Sequence, residues 1–485
     1  MVEVELKFQI PAARRTALLK ALDPKKSQQI QLQAKYYDTA DRQLARHGVA
    51  LRQRLEGTCW VQTLKAVGKS HIERFEHNHN LGELATPPEL NLDIYNEYPE
   101  AWAILSNALG DQFDDLQLQF ETDISRTLRV IEYEDTQVEV SLDIGQIRTQ
   151  HAEQQVHEVE FELKNGSIQH LLAFSFEWVK KYQLWLDVRS KAEIGNLLAA
   201  SQRVSPATLS KEFQISKKDS ASKTMCSLIA QQMQHLLPNI AAIADQIAEQ
   251  EHIDQAQLAL DQLHLTLLLF KDWHPQLSDK WAHQLAAFEQ QFEHLQHLQH
   301  MQNSLAGFLQ NPTTTENLTK DILYAQEKLG NLVKSTQNVH HYLELLMFSL
   351  SENEHASPDL KTAAQTTLQQ QYKALQEQMN QTNITDFDSL DQLAGRIQEL
   401  KFSFPILTTI YDVKNLQKYS KALNDAQLAA DEYQTLASSA VYIQQTELEA
   451  SDWFVLGWLT AKQEVYAQKL LEATEQFLVS RKFLK

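Results

Sequence analysis

Short runs in which charged and apolar residues alternate dominate the chain before about residue 200. In the first run, residues 2–8, Glu3, Glu5 and Lys7 alternate with valine, leucine and phenylalanine. Successive side chains of a β-strand point to opposite faces, so the run predicts a strand with one charged and one apolar face. Similar runs occupy residues 49–55, 60–67, 123–131, 136–147 and 156–164. Many antiparallel strands at even spacing favour a closed barrel or a curled sheet.

The pattern changes near residue 200. Before it, helices are predicted only between the strands, at residues 12–22, 99–109 and 167–186. After it, apolar residues recur every three or four positions, which predicts long amphipathic helices. We therefore expect an α+β chain of two domains, with an antiparallel β domain at residues 1–202 and an all-α helical bundle at residues 203–485.

The charge balance restricts the partners. Asp and Glu number 63 against 44 Lys and Arg, and the formal net charge of −19 argues against binding to nucleic acid or to an anionic membrane. Only Cys59 and Cys226 are present, so no disulfide framework is predicted. The chain does not open on a basic and apolar leader, and its most apolar run, residues 263–270, is too short to span a bilayer. These features predict a cytoplasmic protein.

The charged strand faces are segregated by sign. The acidic set comprises Glu3, Glu5, Glu76, Glu139, Asp143, Glu158, Glu160 and Glu162. The basic set comprises Lys7, Arg52, Arg54, Lys65, Arg74 and Arg126. Aligned carboxylates repel one another unless a cation holds them, and paired arginines suit phosphate oxygens. The sequence therefore predicts a barrel with a polar interior that binds a divalent metal ion and a polyanion, the combination used in phosphoryl transfer.

A set of short motifs in a fixed order carries a family resemblance. The motifs are EVELK (3–7), YYDT (36–39), LRQR (51–54), TLK (63–65), the pair Arg74 and Glu76, DISRT (123–127), VEVSLDIGQI (138–147), VEFELK (159–164) and SKAE (190–193). Residues 1 to about 200 resemble the CYTH domain, whose members are also called triphosphate tunnel metalloenzymes. A single ExExK motif carries little information, but nine motifs in the order of the family are specific.

The resemblance implies an N-terminal eight-stranded antiparallel β-barrel tunnel with flanking helices. Family members hydrolyse the terminal phosphate of triphosphates with Mg²⁺ or Mn²⁺. It also implies roles for single residues. Metal binding is expected of Glu3, Glu5, Glu76, Glu139, Asp143, Glu158, Glu160 and Glu162. Triphosphate binding is expected of Lys7, Arg52, Arg54, Lys65, Arg74, Arg126 and Lys191. The catalytic group is expected to comprise Glu5, Glu139, Asp143 and Lys191.

Some of these positions have a structural alternative. Glu158, Arg74 and Glu76 could instead form ion pairs at the rim of the tunnel. Residues 36–38 are expected to fix a strand and its turn rather than to contact substrate.

The helical half resembles the CHAD domain, a helical module that binds polyphosphate through basic and histidine-bearing faces. The closing KFLK sequence fits this resemblance. However, Asp254, Gln257, Asp261 and Gln262 stand where the family usually has histidine or arginine. Residues 203–485 contain 22 Lys and Arg against 33 Asp and Glu, which opposes polyanion binding. We expect a CHAD-like fold with weak or absent polyphosphate binding that braces the barrel, restricts substrate size or serves oligomerisation.

The predicted function is a metal-dependent inorganic triphosphatase that cleaves tripolyphosphate to pyrophosphate and phosphate. An alternative keeps the site and changes the substrate to thiamine triphosphate or a nucleoside triphosphate. An adenylate cyclase, also found in the family, is less compatible with the helical half. A further alternative, from another class, is a non-enzymatic scaffold that binds polyphosphate through the helical half.

Overall fold

The computed structural model describes residues 2–68, 70–305, 312–351, 358–410, 416–445 and 450–479. The KFLK sequence at residues 482–485 lies outside these ranges. The chain divides into two compact units. The first comprises Met1–Thr208, Met233–Ile253 and Leu332–Phe348, and the second comprises Leu209–Gln232, Asp254–Asn331 and Ser349–Lys485. No helix in the described part of the chain is both long enough and apolar enough to cross a membrane.

The first unit contains a closed antiparallel barrel. Its strands are β1 (Val2–Gln9), β2 (Gln28–Asp38), β3 (Val49–Glu56), β4 (Cys59–Val67), β5 (Glu73–Glu83), β6 (Gln117–Tyr133), β7 (Thr136–Arg148) and β8 (Glu153–Asn165). The strand order is β5-β4-β3-β2-β6-β7-β8-β1, and pairing of β1 with β5 closes the ring. The short strand β9 (Trp185–Leu186) adds to the end of β1. The eight-stranded barrel inferred from the resemblance is thus confirmed.

Within the described part of residues 1–208, five α-helices accompany the barrel. They are α1 (Arg15–Ala21), α2 (Gln43–Arg46), α3 (Pro99–Leu109), α4 (Ile168–Tyr182) and α5 (Lys191–Ala199). The predicted helix over residues 12–22 is a 3₁₀ turn followed by α1. The helix predicted over residues 167–186 ends early, because Gln183 adopts a left-handed conformation and the chain then forms β9. Ser167 caps α4 by accepting a hydrogen bond from the backbone N–H of Gln169.

The outer face of the barrel is apolar, as the alternation predicts. Phe8 and Phe161 are fully buried there, and α4 packs on this surface. The ring of Phe161 lies 5.4 Å from that of Phe174 and 5.5 Å from that of Trp178. Burying one such side chain stabilises the fold by roughly 1.5–3 kcal/mol. The helices therefore cover the apolar face, and the charged face is left to the interior of the barrel.

Part of the barrel interior is also apolar, and α5 occupies it. Ile194 of α5 packs with Leu32, Ala34 and Ile124 of the barrel wall. Gly195 lies directly against the ring of Phe120, where an added Cβ would come within 2.2 Å. This contact requires glycine, since any side chain would force the helix away from the wall. The first turn of α5 is thereby fixed beside the charged part of the interior.

The described chain after residue 208 is helical. Its helices are α6 (Ala221–Ala244), α7 (Gln250–Leu269), α8 (Asp279–Leu305), α9 (Pro312–Leu332), α10 (Thr336–Ser349), α11 (Leu360–Gln381), α12 (Phe387–Ile410), α13 (Leu416–Gln444) and α14 (Ala450–Val479). In the core of the second unit, the indole of buried Trp273 donates a 3.1 Å hydrogen bond to Thr367. The predicted all-α C-terminal region is confirmed.

Candidate functional site

The charged strand faces meet inside the barrel. Lys65 on β4 lies 2.6 Å from Glu3 on β1, although β5 separates these two strands. Arg126 on β6 lies 2.5 Å from Glu160 on β8, across β7. Side chains of strands that are not neighbours can meet only if they point into the same interior. The barrel therefore has a charged lumen, as the segregated charges predict.

Three carboxylates form a tight group in this lumen. One oxygen from each of Asp143, Glu158 and Glu160 lies within 4.8 Å of the other two. The register of the sheet produces this approach, because Asp143 on β7 pairs directly with Glu158 on β8. Asp143 and Glu158 are buried, and Glu160 is largely buried. We call these three residues the carboxylate cluster.

Two cations contact the carboxylate cluster most closely. Arg126 donates two hydrogen bonds to Asp143, at 2.7 and 2.6 Å. Lys191, the first residue of α5, contacts all three carboxylates, with its ammonium 2.7 Å from both Asp143 and Glu160. A lysine in the first turn of a helix is unfavourable beside the positive end of the helix dipole. Its position is explained by the carboxylates that it contacts.

The pKa values in the carboxylate cluster follow from this pairing. Burial would raise the pKa of Glu160, but the charges of Lys191 and Arg126 outweigh burial and hold it well below its usual value. Burial likewise opposes the ionised form of Asp143, and the same two cations lower its pKa. Burial would lower the pKa of Lys191, yet the three carboxylates raise it well above its usual value. Asp143, Glu160 and Lys191 are therefore ionised at neutral pH.

The chemistry of the carboxylate cluster fits a hard divalent cation. Such ions prefer carboxylate oxygens as ligands. Within the described ranges, this is the group of potential ligands whose donor atoms come this close together. A metal ion in the lumen could therefore be held by Asp143, Glu158 and Glu160.

The other predicted carboxylates lie in two further groups. Glu3 and Glu76 share Lys65, at 2.6 and 3.4 Å, and Glu5 faces Arg74 at 3.4 Å. Glu139 and Glu162 share Lys164, at 3.6 and 2.8 Å. Each group thus has a lysine or arginine between or beside its carboxylates.

Glu3 and Glu76 share a lysine but titrate differently. Burial raises the pKa of Glu3 to about 7, against the opposing charge of Lys65. Burial also opposes the ionised form of Glu76, but Lys65 and Arg52 together lower its pKa. The pKa of Glu3 is also raised by the charges of Glu5 and Glu76, whereas Glu76 has Arg52 as a second cation.

The predicted polyanion-binding residues line the wall around these groups. Arg52 lies 3.9 Å from Glu76 and donates a 3.3 Å hydrogen bond to the hydroxyl of Tyr36. Arg54 is held by Glu56, which accepts a 2.7 Å hydrogen bond from its Nε. Lys7 lies 3.5 Å from Glu158 and is buried. The guanidinium groups are therefore fixed in place by polar neighbours.

The prediction for residues 36–38 holds for Asp38, whose carboxylate accepts hydrogen bonds from the backbone of Thr39, Leu44 and Ala45. Tyr36 is part of β2, and its hydroxyl lies against Arg52 in the lumen. Burial would raise the pKa of Tyr36, but the charge of Arg52 outweighs burial and lowers it. Tyr36 therefore belongs to the lumen wall.

Two more lumen residues escaped the sequence reasoning. Glu56 continues the alternation of Arg52 and Arg54, and Lys164 continues that of the β8 glutamates. Extending each alternation by one step would have found both. Lys164 and Glu56 add one positive and one negative charge to the lumen and leave the difference between its acidic and basic residues unchanged.

Residues 1–193 match the family model of the CYTH domain. The match spans the barrel and the first residues of α5, and it agrees with the resemblance in the sequence. An inorganic triphosphatase of Haemophilus influenzae is 34% identical over 170 residues, which are 34% of this chain and 46% of that protein. The chain thus matches just under half of that relative's length.

The helical region has a structural relative. The crystal structure of the CHAD domain from the plant Ricinus communis aligns with a TM-score of 0.51 and 14% sequence identity, covering 57% of this chain and 97% of that chain. At this identity, the similarity concerns the fold alone. It agrees with the CHAD-like fold expected from the sequence.

Proposed function

We propose that this protein is a metal-dependent inorganic triphosphatase that hydrolyses tripolyphosphate to pyrophosphate and phosphate in the barrel lumen. The observation that carries the proposal is the meeting of a close carboxylate cluster and several fixed cations in one interior. The 34% identity to a protein named inorganic triphosphatase supports it.

The cations would bind the phosphate oxygens. Guanidinium groups bind such oxygens through paired N–H donors, and Arg52 and Arg54 share one face of β3. Lys7, Lys65, Arg74 and Arg126 lie on the surrounding strands, and Lys191 approaches from α5. Fixed charges of this kind stabilise a phosphoryl-transfer transition state without reorganising during the reaction.

The acidic residues would hold the metal ion and orient water. Asp143, Glu158 and Glu160 would bind Mg²⁺ or Mn²⁺, which supplies positive charge against the triphosphate oxygens when bound. Glu5 and Glu139 would orient the attacking water. Both side chains already face cations, Arg74 and Lys164 respectively, which fix their positions.

Phosphate release with Mg²⁺, and then with Mn²⁺, tests this function. The substrates would be tripolyphosphate, thiamine triphosphate, ATP and long-chain polyphosphate. We expect a strong preference for tripolyphosphate. Faster hydrolysis of thiamine triphosphate or ATP would support the same active site with a different substrate. If no phosphate is released from any of the four compounds, the proposed triphosphatase activity is refuted.

Matched variants link the activity to the lumen. Arg54→Ala removes one fixed donor and is expected to lower kcat by about 10²- to 10³-fold. Arg148→Ala is the control, because Arg148 pairs with Glu121 and is half-exposed. Equal rates for the wild type and Arg54→Ala, or for the wild type and Glu5→Gln, would contradict the assignment of the lumen as the active site.

A further inference from the structure

The carboxylate cluster is already neutral without a metal ion. Its three carboxylates face three cations, namely Arg126, Lys191 and Lys7. A divalent cation added to this set would leave two uncompensated positive charges in a largely buried place. Such charges are costly to bury, so something positive must leave or something negative must enter.

Lys191 is the cation whose position overlaps most directly with that of a metal ion bound to the carboxylate cluster. Its ammonium contacts an oxygen of each cluster carboxylate, at 2.7 Å for both Asp143 and Glu160. These carboxylates are the ones whose oxygens approach within 4.8 Å and could share a metal ion. An ammonium and a divalent cation cannot both occupy the space between the three oxygens.

Arg126 and Lys7 are less suited to leave. Arg126 binds Asp143 through two parallel hydrogen bonds, a geometry that fixes a guanidinium strongly. Lys7 lies near the C-terminal end of β1 and reaches Glu158 at 3.5 Å, which leaves it at the edge of the cluster. Lysine side chains are flexible point charges, so Lys191 can withdraw without breaking a bidentate pair.

The backbone of Lys191 is held in place by contacts of the neighbouring residues. Ser190 caps α5 by accepting a 3.0 Å hydrogen bond from the N–H of Glu193. Arg189 binds Asp187 through two hydrogen bonds, at 3.0 and 2.9 Å. Gly195 lies against Phe120 in the apolar part of the lumen. The exchange is therefore confined to the lysine side chain.

We propose that Lys191 is a built-in counterion that competes with the divalent metal ion for Asp143, Glu158 and Glu160, and that the triphosphate relieves this competition by binding the displaced ammonium. The proposal rests on the proposed triphosphatase function, in which metal and triphosphate meet in this lumen. If Lys191 acts in this way, binding of the metal ion and binding of the triphosphate are positively cooperative. Metal alone would bind weakly, because it would leave the Lys191 charge without a partner.

Mn²⁺ binding, measured by electron paramagnetic resonance and calorimetry without turnover, tests the competition. Lys191→Met is expected to bind Mn²⁺ alone more tightly than the wild type, by a factor in the usual range of coupling between sites, roughly 5- to 150-fold. Lys191→Arg keeps the charge and should stay near the wild type. Lys35→Met is the matched control, because it removes one lysine charge that faces Glu121 at 4.0 Å.

The same measurement with a non-hydrolysable imido analogue of tripolyphosphate tests the cooperativity. The analogue should raise Mn²⁺ affinity strongly in the wild type and much less in Lys191→Met. Equal or weaker Mn²⁺ binding by Lys191→Met would overturn the inference and leave the triphosphatase intact. Failure of the wild type to bind Mn²⁺, with or without the analogue, would overturn both.

A measurement on the wild type covers the case in which Lys191→Met does not fold. Lys191 is labelled with an amine-reactive reagent, and the labelled peptide is quantified by mass spectrometry. Labelling of Lys191 should become faster when Mg²⁺ is added, whereas labelling of Lys35 should not change. An unchanged rate at Lys191 would contradict its displacement.

Discussion

The two units of this protein each bury a group of carboxyl side chains, and they stabilise these groups by opposite means. In the barrel, Asp143 and Glu160 are surrounded by fixed cations, and their pKa values are lowered. In the helical unit, Asp261 of α7 lies near Glu289 and Glu293 of α8, and burial followed by the hydrogen bond to Glu289 raises the pKa of Asp261 to about 9. Burial raises the pKa of a carboxyl group in both places. The neighbouring groups therefore decide whether the pKa is lowered or raised overall.

The helical cluster has a weaker cation. His264 lies 2.6 Å from Glu289, and this hydrogen bond, working against burial, raises the pKa of the histidine. Burial, with the charge of Glu289, raises the pKa of Glu293 as well. The barrel therefore keeps the carboxylates of Asp143 and Glu160 ionised, whereas the helical unit keeps the carboxyl group of Asp261 protonated. The sequence shows that the helical half contains few basic residues, and a protonated buried carboxyl is a physical consequence of that shortage.

Removing a cation from the barrel should have the largest effect. Arg126→Met leaves Asp143 and Glu160 buried with one partner fewer, and we expect a loss of about 3–5 kcal/mol in the free energy of unfolding. Urea unfolding followed by hydrogen exchange in peptides of β6–β8 measures it locally. Arg148 is half-exposed and pairs with Glu121, so Arg148→Met should cost only about 0.2–1 kcal/mol. Similar losses of stability in Arg126→Met and Arg148→Met would contradict the conclusion that fixed cations stabilise the buried carboxylates of the barrel.

The helical unit should lose stability as the pH rises. The pKa of Asp261 is about 9 in the folded chain against an ordinary value of 3.8, so the folded state keeps a proton that the unfolded state has released. The stabilisation is complete below about pH 4 and is lost as the pH rises through about 9. The raised pKa values of His264 and Glu293 act in the same direction.

Hydrogen exchange in peptides of α7 and α8 at pH 5, 7 and 9, corrected for the intrinsic exchange rate, measures the slope of local stability against pH. Asp261→Asn should flatten it, since an amide keeps the hydrogen-bonding capacity and does not titrate. A slope of the same size in Asp261→Asn would show that another group is responsible.

Replacing the cation of the helical cluster should matter less than Arg126→Met. His264→Gln retains a donor toward Glu289, and the neighbouring carboxyl groups can take up a proton in place of the lost charge. We expect a loss of about 1 kcal/mol at pH 7. The same local hydrogen exchange measures it, and a loss as large as that of Arg126→Met would mean that His264 acts as a fixed cation.

The smallest expected effect is the contribution of the helical half to the binding of long-chain polyphosphate. The acidic balance of the helical half predicts that it contributes no detectable affinity. Full-length protein carrying both Arg52→Ala and Arg54→Ala should therefore lose its retention on a polyphosphate column. Retention that persists in this variant would place binding outside the lumen and support the scaffold alternative.

The sequence predicted some strands of the barrel better than others. The runs of β1, β3, β4, β6, β7 and β8 show clear alternation. The alternation analysis did not pick out β2, and of β5 it found only the charged pair Arg74 and Glu76. The first half of β2 is rich in glutamine, and β5 carries His77, Asn78, His79 and Asn80 in succession. Both strands form because neighbours pair with them on either side, which is a tertiary effect.

By itself, the sequence determined which side chains share a face, because the two-residue period of a strand is a local property. This was sufficient to place Glu3, Glu5, Glu160 and their partners in one lumen. Only the tertiary structure decided which charges meet. Arg126 reaches Glu160 across an intervening strand, and Lys191 enters from a helix whose seat depends on Gly195 and Phe120. Strand order, register and helix seating result from packing among distant segments, and no local pattern encodes them.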